Sequence, residues 1–473
     1  MKTILINPPS RERYGKQKRV SGIVPPLGLA YLASSLIKAG FDVEIIDSYA
    51  FDYSVIDIEN ILKKKDFEII GITATTLSLD IAIEILRISK IINPNCVTII
   101  GGPHTTALPT ETLKSYSFID FIIRGEAEET IVELLDKIEK RESYYDIKGI
   151  SYKEGDKIRN NPDRELIQDL DSLPFPAYDL LPMDKYFPSP HHGFSFYKKV
   201  NNYPFFSIFT SRGCPYRCTF CASAVTWRRK VRVRSTDNVM EEIDLLVDKY
   251  KIKNLDIYDD TFLLKKDRTI QILNELIKRN YDLDFSCLSR VDSIDDEIVS
   301  KLSKANCYSL RFGIESGSPK ILELMKKDIN LNQALDAFKL IKKYNIVRNA
   351  CFIFGHPGET LDTANETIKF VKKLDPDVAF FYILVPFHGT EVMEIVKTKN
   401  LLVNTKSENW TFVAKETNIR TESLSSEDLI KLRKKAYRAF YLRPKYISDK
   451  LIKIKSLDTL KFYIDGVRSI FSN

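Results

Sequence analysis

The chain has 473 residues, 44% hydrophobic and 29% charged, the proportions of an ordinary folded protein rather than a disordered or collagenous one. That length exceeds the size at which a single core stops growing, so two or three domains are expected. Lysine and arginine outnumber the acids by 71 to 64, too small a surplus to announce a nucleic-acid partner. No apolar run reaches the ~18–20 residues of a membrane-spanning helix, and the opening KTILINPP is too short for a signal peptide. A soluble, cytoplasmic protein is expected.

Residues 1–147 alternate short β-branched runs with amphipathic stretches, which predicts an α/β domain, a Rossmann-like (flavodoxin-like) parallel sheet wrapped by helices. Strands are expected at 4–7, 42–47, 68–75, 97–102 and 120–125. A first helix over 28–39 ends before Gly40, a residue suited to a left-handed helix terminus. Residues 148–204 read as a hairpin, ISYKEGDKIRNNP, followed by a proline-rich linker, LPFPAYDLLP. Over 205–390 six apolar strands alternate with helical stretches, predicting a partial (β/α)6 TIM-type barrel. Residues 391–473 read as a helical C-terminal region rich in Lys, Leu and Tyr. The basic run WRRKVRVR, from Trp227 to Arg234, reads first as a solvated face, and nucleic acid is an unlikely partner.

Three of the seven cysteines stand together in TSRGCPYRCTFCAS as Cys214, Cys218 and Cys221, directly after an apolar strand. Such bunching argues for a metal rather than a disulfide framework. Iron–sulfur clusters are held by Cys thiolates, normally four. Three leave one iron open to chelate a small molecule. The alternative, a zinc site, would need a partner arm, and no second C-x2-C pair is present.

This C-x3-C-x2-C segment, with Phe220 before the last cysteine, resembles the signature of the radical S-adenosylmethionine (SAM) superfamily. The resemblance implies a [4Fe–4S] cluster on Cys214, Cys218 and Cys221 as metal ligands, with SAM bound to the open iron. It extends along the later strands. In IYDDTF it places Tyr258, Asp259 and Asp260 near the SAM methionine, although adjacent acids at a strand end also suit a helix cap. In SRVD and RFGIESGS it implies SAM contacts from Arg290, with Asp292, and from Glu315. In CFIFGHPGET it implies that Gly355, Pro357 and Gly358 pack against adenine, Cys351 replacing the usual glycine. Ligands of α/β barrels sit at such C-terminal strand ends.

The N-terminal domain lacks G-x-G-x-x-G and G-x-x-x-x-G-K-[ST]. Its NPPS, VPPLGL, IGITATT, GGPHTTALP and RGEAEE segments resemble the cobalamin-binding domain of the cobalamin-dependent radical SAM branch. That likeness implies corrin contacts from Asn7, Pro8, Pro9, Thr73, Thr75, Gly101, Gly102, His104 and Glu126. D-x-H-x-x-G, whose His binds cobalt, is absent, so a base-off, His-off corrin is expected, and His104 reads either as a residue near the corrin or as a satisfied surface His. A ligand-free structural domain is the alternative. The activity implied is reductive cleavage of SAM to a 5′-deoxyadenosyl radical, hydrogen abstraction from an unactivated carbon of a small-molecule substrate, and methyl transfer through cobalamin. An external donor such as flavodoxin or ferredoxin would supply electrons. Rival readings are a cyclase or rearrangement enzyme with the same cofactors, and a non-catalytic cobalamin or redox sensor.

Overall fold

A computed structural model describes residues 1–9, 22–186, 205–403 and 417–451. Strands β1 (Lys2–Asn7), β2 (Asp42–Asp47), β3 (Ile69–Thr73), β4 (Val97–Gly101) and β5 (Phe121–Ile123) lie where the periodicity predicts them. They pair in parallel in the order β2-β1-β3-β4-β5. Runs such as TILI and IIGI are almost continuously apolar because helices cover both sheet faces, each with its own core.

The hairpin expected in the linker is instead part of this sheet. Strands β6 (Ile150–Glu154) and β7 (Lys157–Asn160) add antiparallel to β5, making seven strands. Arg124, buried at the end of β5, donates to the Ile150 carbonyl at 2.8 Å and pairs with Asp163 at 3.0 Å. Its guanidinium needs these partners once out of water, and they hold the hairpin against β5. The proline-rich strap is packed, not loose. Tyr178, Leu181 and Tyr186 are buried in the large core of the second domain, and the Tyr186 hydroxyl donates to Asp47 at 2.8 Å.

Strand β8 (Phe205–Ile208) leads into a short antiparallel ribbon, β9 (Ser211–Arg212) with β10 (Arg232–Val233), which brackets the cysteine segment. Then come β11 (Asn254–Ile257), β12 (Asp284–Ser289), β13 (Cys307–Glu315), β14 (Val347–Phe354) and β15 (Val378–Ile383). With β8 they form an open, parallel six-stranded sheet ordered β8-β11-β12-β13-β14-β15, the partial barrel expected. Ile257, Phe312, Phe352, Phe354 and Phe381 join Met240, Ile272 and Phe338 of the covering helices in one core. Tyr258, by contrast, is 46% exposed at the end of β11, and Cys351 and Tyr382 are half-buried.

The C-terminal helix Ser426–Tyr441 covers the open edge at β15: Arg433 donates to the Phe381 carbonyl at 3.0 Å and the Tyr441 hydroxyl to that of Ala379 at 2.9 Å. An uncovered edge would be a template for association. Residues 404–416 and 452–473 of the expected helical tail lie outside the described residues. Among the described residues no helix is long and apolar enough to cross a membrane.

The two domains are joined through buried charge. Arg212 reaches Glu126 at 2.7 Å and Glu128 at 2.6 Å, Arg232 also pairs with Glu126, and all four side chains are at most 7% exposed. The Trp227 ring lies 5.6 and 5.7 Å from the two guanidinium carbons. Removing one partner of such a cluster leaves unpaired buried charge. Arg212→Ala should therefore cost about 3–5 kcal/mol, read as a shift in the urea midpoint, and should cost much less in a background carrying Glu126→Gln and Glu128→Gln.

Candidate functional site

The cysteine segment leaves β8 through a clamp. Asp259, 1% exposed, accepts from the Thr210 amide and hydroxyl at 2.6 Å each, the Ser211 amide at 3.0 Å and the Ser211 hydroxyl at 2.6 Å. Both carboxylate oxygens are thus committed to holding the start of the loop, so Asp259 anchors it from β11 rather than facing a ligand. Gly213 follows with φ +93; a Cβ there would lie 2.1 Å from the Lys230 carbonyl oxygen, so no other residue fits without moving the backbone. At the far end Thr219 is held by the Met325 carbonyl at 3.0 Å, by the Val392 amide at 2.9 Å and by His356 Nε2 at 3.0 Å.

Cys214, Cys218 and Cys221 are half-buried, and none of the seven cysteines is in a disulfide. They influence one another electrostatically, with Asp260, Lys327, Glu315 and Arg290 also close by. Burial raises all three thiols, Cys221 to about 12, while the Lys327 and Arg290 charges partly oppose this at Cys218. Among the described residues no three His, Cys, Asp or Glu side chains gather as ligands of a single ion would. Three thiols on one short loop, with a fourth cysteine nowhere in that loop, match in number the donors that a cubane with one iron left to another ligand would need.

Around the thiols the expected SAM residues come together. Arg290 stacks on Tyr216, between Cys214 and Cys218, with its guanidinium carbon 3.6 Å from the ring centroid. It also pairs with Asp292 at 2.8 Å and donates to the Lys327 and Asp328 carbonyls at 3.0 and 2.9 Å. A register shift in β13 gives Glu315 a left-handed backbone, φ 67, and folds its carboxylate back over Gly313 to meet Lys327 at 3.2 Å. Asp260, raised by burial, accepts from Ser223 at 2.7 Å.

Gly355 and Gly358 take left-handed conformations, φ +94 and +90, and form with Pro357 a tight loop after β14. Sequence reasoning passed over two buried ionisable groups here, Lys327 and Glu359. Glu359 accepts from the Gly355 amide, leaves Oε1 without a hydrogen-bond partner, and is pushed by burial from 4.5 up to about 8. The one available signal was an acid closing a glycine-rich turn, in HPGET.

On the first sheet the expected corrin residues occupy the C-terminal ends of β1, β3 and β4. Thr75 is exposed, and Thr73, Gly101 and Gly102 are half-buried. Gly102, φ +103, would bring a Cβ 2.5 Å from the Ala74 carbonyl oxygen. His104 bonds Thr76 at 3.1 Å and meets the His388 ring edge-on at 5.4 Å. Burial first, then His388, lowers its pKa to about 4. It is therefore buried and neutral, not a surface histidine. Pro8 and Pro9 are buried, and the Asn7 amide donates to Asp47 at 2.8 Å. Glu126, expected at the corrin, lies instead in the interdomain ion cluster, where it also accepts from the Ile167 amide at 2.9 Å. Neutral hydroxyls, an imidazole and bare backbone at strand ends suit an amide-rich, uncharged macrocycle.

The strand ends of the two sheets meet across one seam. His104 faces His388, and a Cβ at Gly389, beyond β15, would lie 2.9 Å from Val225 and 3.3 Å from Ala107. The cysteine loop and the loops after β3 and β4 are thus neighbours.

The family comparisons agree with this layout. The Radical SAM superfamily profile matches residues 208–371, and the B12 binding domain profile residues 18–135. An uncharacterized methyltransferase of Pyrococcus horikoshii is 41% identical over 94% of each chain. The anaerobic magnesium-protoporphyrin IX monomethyl ester cyclase of Rubrivivax gelatinosus is 28% identical over 92% of this chain and 77% of its own. Among solved structures, the cobalamin-dependent SAM radical enzyme OxsB superposes with a TM-score of 0.71 at 20% identity, covering 99% of this chain and 72% of its own. The radical SAM methyltransferase TsrM from Kitasatospora setae gives 0.69 at 18%, covering 84% and 76%.

Two outcomes test the site. Because the folded state holds the Glu359 proton more tightly, its contribution to stability is full below about 4.5 and is lost as pH rises to about 8. Denaturation midpoints across that window should fall more steeply in wild type than in Glu359→Gln. Cys218→Ala should lose iron and sulfide on anaerobic reconstitution while its far-ultraviolet circular dichroism stays that of the parent. With the cysteine loop clamped to the joint between the two sheets, and with matched profiles over both domains, this chain belongs to the cobalamin-dependent radical SAM family of enzymes.

Proposed function

We propose that the chain is a cobalamin-dependent radical SAM methyltransferase that adds a methyl group to an unactivated carbon of a small-molecule substrate. The carrying observation is the seam, which sets the cysteine loop of one sheet beside the β3 and β4 loops of the other. When bound, the [4Fe–4S] cluster would supply the electron that cleaves SAM, and cobalamin the carrier of the methyl group.

The chain's own side chains provide position and exclusion. Cys214, Cys218 and Cys221 would hold the cluster. Glu315, Lys327 and Arg290, buried and paired, and the exposed Asp260 set charge of both signs around the thiols, suited to a zwitterionic methionine moiety that needs one partner of each sign. Gly355, Pro357 and Gly358 offer backbone for a flat base. Thr73, Thr75, Gly101, Gly102 and His104 would border the corrin, with His104 buried and neutral. Seven free cysteines fit a reducing cytoplasm, and an external low-potential carrier, flavodoxin or ferredoxin, would feed the cluster.

A second reading, oxidative cyclisation, is favoured by the 28% identical cyclase of Rubrivivax gelatinosus. Anaerobically reconstituted enzyme given methyl-labelled SAM separates the two. Label on the product is expected, and 5′-deoxyadenosine formation with an unlabelled product would mean cyclisation or rearrangement. No 5′-deoxyadenosine under strong reductant would leave a sensor.

A further inference from the structure

The basic run at Trp227–Arg234 is divided by the fold. Arg232 and Arg234 turn inward onto Glu126 and Glu242 and are at most 5% exposed. Arg228, Arg229 and Lys230 are exposed, and so is Arg217, which lies within the cysteine segment. Arg228 has one exposed partner, Asp163 at 3.0 Å. Among the described residues Arg217, Arg229 and Lys230 have no ion pair. Arg228 and Arg229 sit in left-handed conformations, φ 51 and 58, a cost that ordinary solvated turns avoid with glycine. The turn is docked on the cysteine loop, since Gly213 is a glycine because the Lys230 carbonyl occupies the space of its Cβ, and the β9 and β10 pairing fixes Arg232 opposite Arg212.

We propose that Arg217, Arg228, Arg229 and Lys230 form the docking surface for the reductant, a small acidic electron-carrier protein of the flavodoxin class. The proposal rests on the functional reading above, because it assumes a cluster on Cys214, Cys218 and Cys221. Each encounter passes one electron from the carrier's reduced flavin to that cluster; the carrier is oxidised by one electron and no atom is transferred. An acidic protein fits the patch better than nucleic acid does: three cations in one turn, with a fourth on the cysteine loop that the turn touches, make no extended track, and the neighbouring Trp227 and Tyr216 rings are engaged by Arg212, Arg232 and Arg290 rather than free to stack on bases.

The test uses the reconstituted full chain and a purified flavodoxin hydroquinone, with bleaching of the cluster absorbance followed by stopped flow. The triple variant Arg228→Glu, Arg229→Glu, Lys230→Glu should slow reduction by the carrier about 10-fold or more at low salt, and added salt should narrow the gap. Reduction by dithionite should be unchanged. Lys339→Glu, Lys342→Glu, Lys343→Glu, on the exposed face of the helix Leu331–Lys343 between β13 and β14, makes the same change in net charge and should reduce at nearly the parent rate. Equal slowing in both variants, or none in the first, overturns the proposal. So does a patch variant that loses affinity for a tRNA probe while keeping its rate with the carrier. Parent protein without iron and sulfide overturns the functional reading itself, and this proposal with it.

Discussion

Glu126 and Glu128 stand at the start of a helix of the first domain, and Arg212 and Arg232 on the ribbon of the second. Buried as they are, each carboxylate needs a cation and each guanidinium an anion, so the domains cannot shift by a side chain's width without exposing charge to an apolar interior. Arg212 is two residues before Cys214. The same contact that joins the domains therefore sets where the cysteine loop begins, and the opposition of the two sets of strand ends follows from it.

Within the second domain the loop is held by side chains and backbone of neighbouring segments. Asp259 gathers four donors from Thr210 and Ser211, Gly213 lets the Lys230 backbone pass, and Arg290 stacks on Tyr216. Thiols that must share one inorganic cluster need a backbone already shaped, because reorganising it on binding would cost conformational entropy. Adjacent acids illustrate the division of labour: Asp259 is spent on the loop, whereas Asp260 keeps one oxygen outside its bond with Ser223.

The concave side of the open sheet differs from its helix-covered side in kind. Asp256 accepts from Ser286 at 2.7 Å and from Arg311 at 2.8 Å, a buried polar layer beneath the partly exposed Tyr258, Cys351 and Tyr382. Paired charge of this sort adds little stability by itself. It specifies shape: a polar floor under an aromatic rim, closed at the β15 edge by the helix Ser426–Tyr441 rather than by a further strand. The helical C-terminal region is, in its described part, the cover of that edge.

Local pattern was enough for the strands, the helices between them and the three cysteines, because apolar periodicity and thiol spacing are written within a few residues of chain. The same holds for Gly355, whose left-handed conformation belongs to its own turn, whereas Gly102 also answers to the Ala74 backbone from the loop after β3. Long-range pairing was not legible. Nothing near Glu126 announces Arg212 or Arg232, nothing in the hairpin says that it adds to β5, and nothing beside Lys327 names Glu315. A charged residue looks alike in sequence whether water or a buried partner satisfies it, and only the packing of distant segments decides which. That packing is also what divided WRRKVRVR into two inward arginines, Arg232 joined to Glu126 across the domains and Arg234 to Glu242 within the second, and three outward cations beside the cysteine loop.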